Sequence, residues 1–282
     1  MPPQLFVFVQ MEFPWALGPE DGRYLLRAHA GGEPERVLVA QTLEYERSSA
    51  GRLTLIDPVP LPAEHQARAW LEDFERDGER SLKDALALVN RVLYLHRIAA
   101  ADPYAHELSA AQALAIRAGW GSGDQLASGR FTHARELHAG PGRRERRGLL
   151  GLGSRRARAS ALASQERLVA LLGARVPTLS CEELALRARL DLDQGRTALG
   201  ALELDSALRS AVAELRAEHH EGLALRIDEL EQLGASVAEQ SRLALSGTGA
   251  VPDRELLGHA LTRLESALRA RGAMGTKDRG GG

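Results

Sequence analysis

The chain has 282 residues, of which 44% are hydrophobic and 26% charged, a composition typical of folded proteins with one or two domains that excludes wholesale disorder. A net charge of −2 provides no general attraction to nucleic acid or acidic membranes, and 4% aromatic residues disfavour a stacking platform for single-stranded bases. The single cysteine, Cys181, excludes an internal disulfide and favours a reducing compartment. Because the start lacks a secretory-leader pattern and no apolar run approaches the ~20 residues of a membrane helix, we expect a cytoplasmic protein without membrane contact.

The first sixty residues alternate between apolar and polar positions, which predicts β-strands. We place four strands at residues 7–13, 24–29, 36–45 and 52–56. Phe8 makes the second face of the first strand apolar as well, so we expect that strand to be central. The connections are too short for parallel crossovers, and the pattern therefore predicts a four-stranded antiparallel meander.

From Pro62 onwards the apolar spacing becomes helical. One helix is predicted to end at Gly78, and a second is predicted to be capped by Ser81 and to stop before Pro103. A capping-box pattern then predicts a short helix at residues 109–117, and the glycine-rich residues 119–123 predict a loop.

The stretch 139–160 is rich in glycine, arginine and serine and has little periodicity, which favours an exposed linker between two units. We therefore predict an α+β domain at residues 1–138 and an all-α helical-hairpin domain at residues 161–272. Residues 273–282 are predicted to form a disordered tail. The fold class predicted is α+β, with helices packed on a small N-terminal antiparallel sheet and a helical C-terminal unit.

Helical periodicity continues to about residue 271. Ser180 opens a capping-box pattern for a helix that extends to Asp193, and Asp253 is placed to cap the last helix. A seam with alternating steps of four and three residues, typical of coiled coils, follows a register break at residues 219–222, where we expect a bend or hairpin. The seam comprises Leu223, Ile227, Leu230 and Val237.

One hairpin resembles a tetratricopeptide repeat over residues 184–208. Ala188 occupies the small-residue position of that family, Gly195 the turn, and Leu204, Ala207 and Leu208 the second helix. The match departs from the family at Asp191, where an aromatic residue is usual, and at Gly200, where alanine is usual. No copy follows about 34 residues away, as an array would require, and any antiparallel hairpin with small residues at its crossing shares this pattern.

The seam leads to our favoured hypothesis for function, a non-enzymatic protein-interaction or scaffold protein. A single chain need not bury such a seam completely, so we expect a protein partner or self-association through it.

A run of arginines supports an alternative, a nucleic-acid-associated accessory protein. The run contains seven arginines and one glutamate, Glu145, so its positive charge could neutralise phosphates. Arginine supplies all but two of the 36 basic residues in the chain, and no nucleic-acid-binding motif accompanies the run, so a solvated linker is the competing interpretation. The seven are Arg143, Arg144, Arg146, Arg147, Arg155, Arg156 and Arg158.

A third hypothesis is an enzyme or small-molecule binder that uses the loop at residues 119–130, with Trp120, Asp124 and Arg130 as ligand candidates. That loop lacks the Gly-Lys-Ser/Thr end of a phosphate loop. Cys181 lies near a helix start but has no base in a recognisable motif, so we interpret it as a packed small residue. No regular element brings His133, Glu136 and His138 to one face, and we expect neither a metal site, a cofactor nor a set of catalytic residues.

Overall fold

A computed structural model of the chain describes residues 4–45, 48–129, 131, 133–139 and 155–277. Within these residues the fold is α+β, as predicted, with six strands and eight α-helices. The strands are β1 (Leu5–Phe13), β2 (Gly22–Leu26), β3 (Arg36–Tyr45), β4 (Ser48–Ile56), β5 (Ala115–Ser122) and β6 (His133–Ala139). The helices are α1 (Glu64–Arg76), α2 (Gly78–Ala100), α3 (Gly123–Ser128), α4 (Arg155–Leu172), α5 (Ser180–Asp193), α6 (Thr197–Ala217), α7 (Ala224–Leu245) and α8 (Arg254–Lys277).

The strands form one antiparallel sheet in the order β2-β3-β4-β1-β5-β6. Strand β1 is central, as its two apolar faces predicted. The predicted four-stranded meander is wrong in its strand order, because β1 pairs with β4 and not with β2, which lies at the edge of the sheet. The sheet is also larger than predicted, because β5 returns after the first two helices and pairs with the far side of β1. The helix α2 also begins at Gly78 rather than after a Ser81 cap.

The predicted helix at residues 109–117 and loop at residues 119–123 are wrong. A single 3₁₀ turn, Ala110–Gln112, keeps the predicted capping box, and the chain then enters β5. The glycine at position 119 serves a close approach of backbones: a Cβ there would contact the carbonyl oxygen of His133 and lie 2.8 Å from the Cα of Ala134. Gly119 therefore marks tight strand pairing, not a turn.

One face of the sheet, which we call the helical face, packs against helices of the same unit. Val7 and Trp120 of the sheet pack against Ala67 and Leu71 of α1. Helix α4 packs on α2 and reaches β2, where the backbone N–H of Arg27 donates to a carbonyl at the end of α4 over 2.9 Å. An amphipathic sheet needs such cover to hide its apolar side.

The chain divides into two compact units, Met1–Ala100 with Ala105–Pro177, and Ala101–Tyr104 with Thr178–Gly282. Helix α4 belongs to the first unit, so the boundary follows Pro177, whereas the sequence pattern placed it within residues 139–160. Residues 140–154 of the predicted linker and residues 278–282 of the predicted tail lie outside the described residues, and both remain predictions. In the described part of the chain no helix is both long and apolar enough to cross a membrane.

The second unit contains a closed arrangement of α5, α6, α7 and α8. Helices α5 and α6 form the hairpin that resembles a tetratricopeptide repeat, with Gly195 at φ +74° in its turn. Gly200 lies where the two helices approach closely, since a Cβ there would be 2.7 Å from Leu192 Cδ2. Helix α8 packs back on both α5 and α6, and Arg189 of α5 makes a bidentate pair with Glu265 of α8. This closure differs from an open repeat array.

The register break predicted near residue 220 is present. Helix α6 ends at Ala217, His219 has φ +52°, and a 3₁₀ turn at Glu221–Leu223 leads into α7. Asp253 caps α8 as predicted, because its Oδ1 accepts the backbone N–H groups of Glu255 and Leu256.

A carboxylate from a neighbouring helix caps α5. Glu214 of α6 accepts the backbone N–H groups of Ser180 and Cys181 at 2.9 and 3.0 Å. Burial alone would raise the pKa of Glu214, but these hydrogen bonds outweigh it and lower the pKa below its usual value. The predicted capping box at Ser180 therefore located the start of the helix but not the group that caps it.

We predict that Gly119→Ala destabilises the first unit by about 1–3 kcal/mol, because the added methyl group meets the β6 backbone, which cannot rotate away. Urea denaturation followed by circular dichroism measures this. The matched control is Gly234→Ala in α7, where nothing lies within 4 Å of the added Cβ. It should be neutral or stabilising by up to about 1 kcal/mol, and an equal loss in both variants would contradict the close approach.

We predict that Glu214→Gln lowers the stability of the protein at pH 7 by about 1 kcal/mol, because the helix start loses a charged cap. The pKa of Glu214 is lower in the folded than in the unfolded chain, so its contribution is present above the unfolded pKa of about 4.3 and is lost as pH falls through the folded pKa. Urea midpoints measured from pH 7 downwards should therefore converge for wild type and variant. Asp205→Asn on the same helix, which breaks an i,i+4 pair with Arg209, is the control and should cost about 0.5 kcal/mol or less.

Candidate functional site

Two of the three ligand candidates from the predicted loop are described, and they lie on opposite sides of the sheet. Trp120 lies on β5 and points to the helical face, where it is 6% exposed and stacks on His133 with ring centroids 4.9 Å apart. Asp124 is exposed in the first turn of α3. Arg130 lies outside the described residues. The correction follows from the strand: alternation turns Trp120 away from the side on which α3 lies.

The arginine run is only partly described. Arg143, Arg144, Arg146 and Arg147 lie outside the described residues, and the backbones of Arg155, Arg156 and Arg158 form the beginning of α4. Nucleic-acid association through this run remains a prediction.

The four seam residues lie inside the second unit. Leu223, Ile227, Leu230 and Val237 are all buried in one core with side chains from α5, α6 and α8. The chain itself fills the seam because α8 returns onto α5 and α6. The predicted partner surface is therefore occupied by the protein's own helices in this conformation.

The second face of the sheet, which we call the polar face, carries a cluster of ionisable and amide side chains. Strand pairing sets Glu12 of β1 opposite Arg52 of β4, and Gln10 opposite both Thr54 of β4 and Arg117 of β5. Paired residues share a face in an antiparallel ladder, so these side chains lie side by side across three strands. Gln41 of β3 extends the row, since it pairs with Arg52.

Glu12 is the centre of this cluster. Glu12 is buried, with 9% of its surface exposed, and two arginines share its carboxylate. Arg52 Nη2 lies 3.5 Å and Arg117 Nη1 lies 3.4 Å from Glu12 Oε2, while the Tyr45 hydroxyl donates to Oε1 over 3.2 Å. Arg117 also pairs with Glu136 of β6 at 3.2 Å. These distances exceed the ~2.7–2.9 Å of strong charge-assisted bonds, so the cluster is loosely bonded.

Two buried polar atoms of the cluster have no hydrogen-bond partner among the described residues: Gln41 Oε1 and Arg52 Nε. Both side chains converge beneath Gly129, whose Cβ, if present, would lie 2.8 Å from Gln41 Oε1 and 3.5 Å from Arg52 Nη1. A buried donor or acceptor without a partner is unfavourable by about 1–3 kcal/mol.

An apolar patch adjoins the cluster on the same face. Phe8 stacks on Phe131 with ring centroids 3.7 Å apart, and both pack with Val39, Ile56 and Leu126 of α3. Helix α3 thus covers the apolar half of the polar face, and the ionisable half extends from it towards Tyr45 and Glu136.

The metal-ligand candidates of β6 lie on both faces of the sheet, and Glu136 adjoins the cluster. Arg135 and Glu136 of β6 alternate across the sheet, Arg135 reaching Glu75 of α1 and Glu136 reaching Arg117, so His133 and Glu136 occupy opposite faces. In the ranges that the structure describes, no group of three or more His, Cys, Asp or Glu side chains is placed to hold a metal ion.

Cys181 is fully buried at the start of α5. Burial is the main cause that raises the pKa of its thiol, and the nearby carboxylates of Glu214 and Glu182 raise it further. The side chain is therefore a thiol, in keeping with its interpretation as a packed small residue, and the helix start does not activate it.

Sequence reasoning missed the polar face, although a signal was present. Gln10 and Glu12 alternate with Val9, Met11 and Phe13 in a strand that we expected to be central. A charged residue on a central strand needs partners on the neighbouring strands, and Arg52 lay within a predicted one. Arg117 could not be found because its strand was read as a helix.

No family model, no curated protein and no solved structure matches this chain.

We predict that Cys181 does not react with a thiol-specific reagent in the native protein at pH 8, because its thiol is buried and its pKa is raised. One equivalent should react after addition of denaturant, which serves as the control for reagent and stoichiometry. Rapid labelling of the native protein, measured by absorbance or mass spectrometry, would contradict the placement of Cys181 in the core.

Proposed function

We propose that the protein is an interaction protein that docks a protein partner on the polar face of its N-terminal sheet. The observation that carries the proposal is the loosely bonded cluster on that face, in which two partly exposed arginines, Arg52 and Arg117, share the carboxylate of Glu12. Each guanidinium has five N–H donors, so these arginines can pair with a partner's acceptors as well as with Glu12.

The burial of the other candidate surfaces supports the choice of the polar face. The helical face of the sheet is packed against α1, and the seam of α7 lies in the core of the second unit. The polar face is covered by α3 over its apolar half, while Tyr45 and Leu25 on it are 41% and 46% exposed. We therefore keep the interaction hypothesis, but we propose the polar face of the sheet as the interaction surface in place of the C-terminal seam.

The composition of the polar face suits a protein interface. Arginine, tyrosine and large apolar residues dominate the energetics of such surfaces. Strand register places Arg23 on this face beside Leu25, in addition to Arg52 and Arg117. Three arginines lie on this face with the carboxylates of Glu12, Glu136 and, on α3, Asp124, so the favoured partner presents charges of both signs.

The test compares two doubly substituted variants of the tagged full-length protein. Arg23→Glu with Tyr45→Glu changes exposed positions on the polar face, and Leu225→Glu with Leu245→Glu changes exposed positions on α7 as the matched control. Proteins that co-purify from lysate are quantified by mass spectrometry. We expect at least a tenfold loss of specific partners with the first variant and retention with the second, with thermal melts checking that both fold. Equal retention, or loss only with the α7 variant, would contradict the proposal.

A further inference from the structure

We propose that α3 and the glycine after it, residues 123–129, form a lid over the apolar half of the polar face, which opens while the rest of the first unit stays folded. When the lid opens, the apolar patch beneath it and the cluster around Glu12 become one continuous surface. This rests on the proposed function, since the lid sets how much of the same docking surface a partner meets.

The path of the chain between β5 and β6 is the first step of the argument. Trp120 and His133 pair in the sheet, so the two strands are direct neighbours, and hairpin loops between such strands commonly have about two to five residues. Here the chain leaves β5 at Ser122 and re-enters the sheet at His133, and the extra length folds across the polar face as α3. Long loops with close ends are often lids or binding loops.

The shallow attachment of the lid is the second step. Helix α3 has six residues, too few to be stable alone, and Leu126 is the one buried side chain among those described in it. Asp124 and Ser128 are exposed. Gln125 bonds locally, since its Oε1 accepts the backbone N–H of Ser122 over 3.0 Å and its carbonyl oxygen accepts the Ser128 hydroxyl. Leu126 is therefore the main apolar anchor of the lid.

Helix α1, on the opposite side of the sheet, is attached more firmly. It has 13 residues and buries Ala67 and Leu71 against Val7 and Trp120. Segments with few buried apolar contacts open at a lower free energy than segments that are built into the core. We therefore expect the lid to open alone, whereas α1 is released only when the whole unit unfolds.

An apolar patch lies beneath α3. Leu126 packs there with Phe8, Val39 and Ile56, all of which are buried. Exposing this patch to water opposes opening and keeps the closed form dominant. Strand β1 carries Phe8 on the same face as Glu12, so opening extends the ionisable half of the polar face by an apolar half.

The polar atoms beneath Gly129 lower the cost of opening. A Cβ at Gly129 would lie 2.8 Å from Gln41 Oε1 and 3.5 Å from Arg52 Nη1, so the closed lid shields both side chains from water. Gln41 Oε1 and Arg52 Nε have no partner among the described residues in this closed form. Water reaches both atoms when the lid opens, which offsets part of the cost of exposing the apolar patch.

The experiment compares two cysteine variants of the full-length protein, Leu126→Cys in the lid and Leu71→Cys in α1. Both react with a thiol-specific reagent at pH 8 in a urea series below the unfolding transition, and the buried Cys181 is the internal reference. We expect Leu126→Cys to react faster than Leu71→Cys by about a hundredfold or more, at a rate that hardly changes with urea, because a local opening exposes little surface. The rate of Leu71→Cys should rise with urea in parallel with global unfolding.

A substitution beneath the lid tests the role of the polar atoms. Gln41→Met keeps the length of the side chain but removes the acceptor, so Leu126→Cys should react severalfold more slowly in its presence. Leu43→Met, on the same strand and the same face, is the matched control and should leave the rate unchanged.

If Leu126→Cys fails to fold, hydrogen exchange of the wild-type protein replaces labelling. The amide of Gly129, which donates to the carbonyl oxygen of Gln125, should exchange at a rate that is independent of urea. The amide of Leu71 in α1 should exchange more slowly, at a rate that rises with urea.

Two results would overturn the inference: equal reaction of the two cysteines, or reaction rates that rise alike with urea. A Leu126→Cys rate that Gln41→Met leaves unchanged would overturn the role assigned to the polar atoms. Failure here is separable from failure of the proposed function. If the lid does not open alone while the polar-face variant still loses its partners, the docking surface stands and the lid falls. If that variant keeps its partners, the docking surface falls whatever the lid does.

Discussion

The fold of the first unit depends on one strand that is buried on both sides and carries different chemistry on each. Strand β1 pairs with β4 on one edge and with β5 on the other. Its residues Val7, Val9, Met11 and Phe13 face the helices, while Phe8, Gln10 and Glu12 face the other way. A buried carboxylate on a central strand requires cations on the adjacent strands, and Arg52 and Arg117 supply them. Strand β1 therefore contributes residues to the core of the unit on one face and to its candidate binding surface on the other.

Short-range patterns predicted the strands up to residue 56 because each strand alternates between apolar and polar positions, but they did not predict that β1 pairs with β4 instead of β2. The same reasoning failed at β5, where glycine at positions 119, 121 and 123 was taken for a loop. Period-two alternation was present there in Ile116, Ala118 and Trp120. Two of these glycines have packing reasons: position 119 admits the β6 backbone, which only the long-range pairing reveals, and position 121 lies against Gln125 and Phe131.

In the second unit the sequence predicted which face of each helix is apolar but not what covers it. The apolar seam of α7 is buried in the core of the second unit, and the chain reverses at the register break before it. Periodicity alone carries no information on whether a seam meets another chain or the same chain. Here α8 returns to the earlier helices and is tied to α5 by the pair of Arg189 with Glu265. The resemblance to a repeat hairpin was likewise local, and the closed packing followed from residues far beyond it.

The arginine pairs of the polar face are longer than the arginine pairs that join helices in the second unit. In the second unit, Arg189 and Arg271 make short bonds that join helices, the latter reaching Glu218 at 2.7 Å. On the polar face, Arg52 and Arg117 hold one carboxylate at longer range, next to polar atoms that lack partners in the described part of the chain. The two-point pair of Arg189 fixes one helix against another, whereas the two polar-face arginines share one carboxylate oxygen.

The central claim is that the polar face, unlike the helical face, is accessible to a partner outside the strip that α3 covers. Methyl NMR spectra recorded with an uncharged gadolinium chelate test this most directly. The account predicts that the methyl signals of Leu25 and Leu43, which lie on the polar face, lose intensity strongly, while those of Leu53 and Ile116 on the helical face persist. Equal protection of all four residues would contradict it.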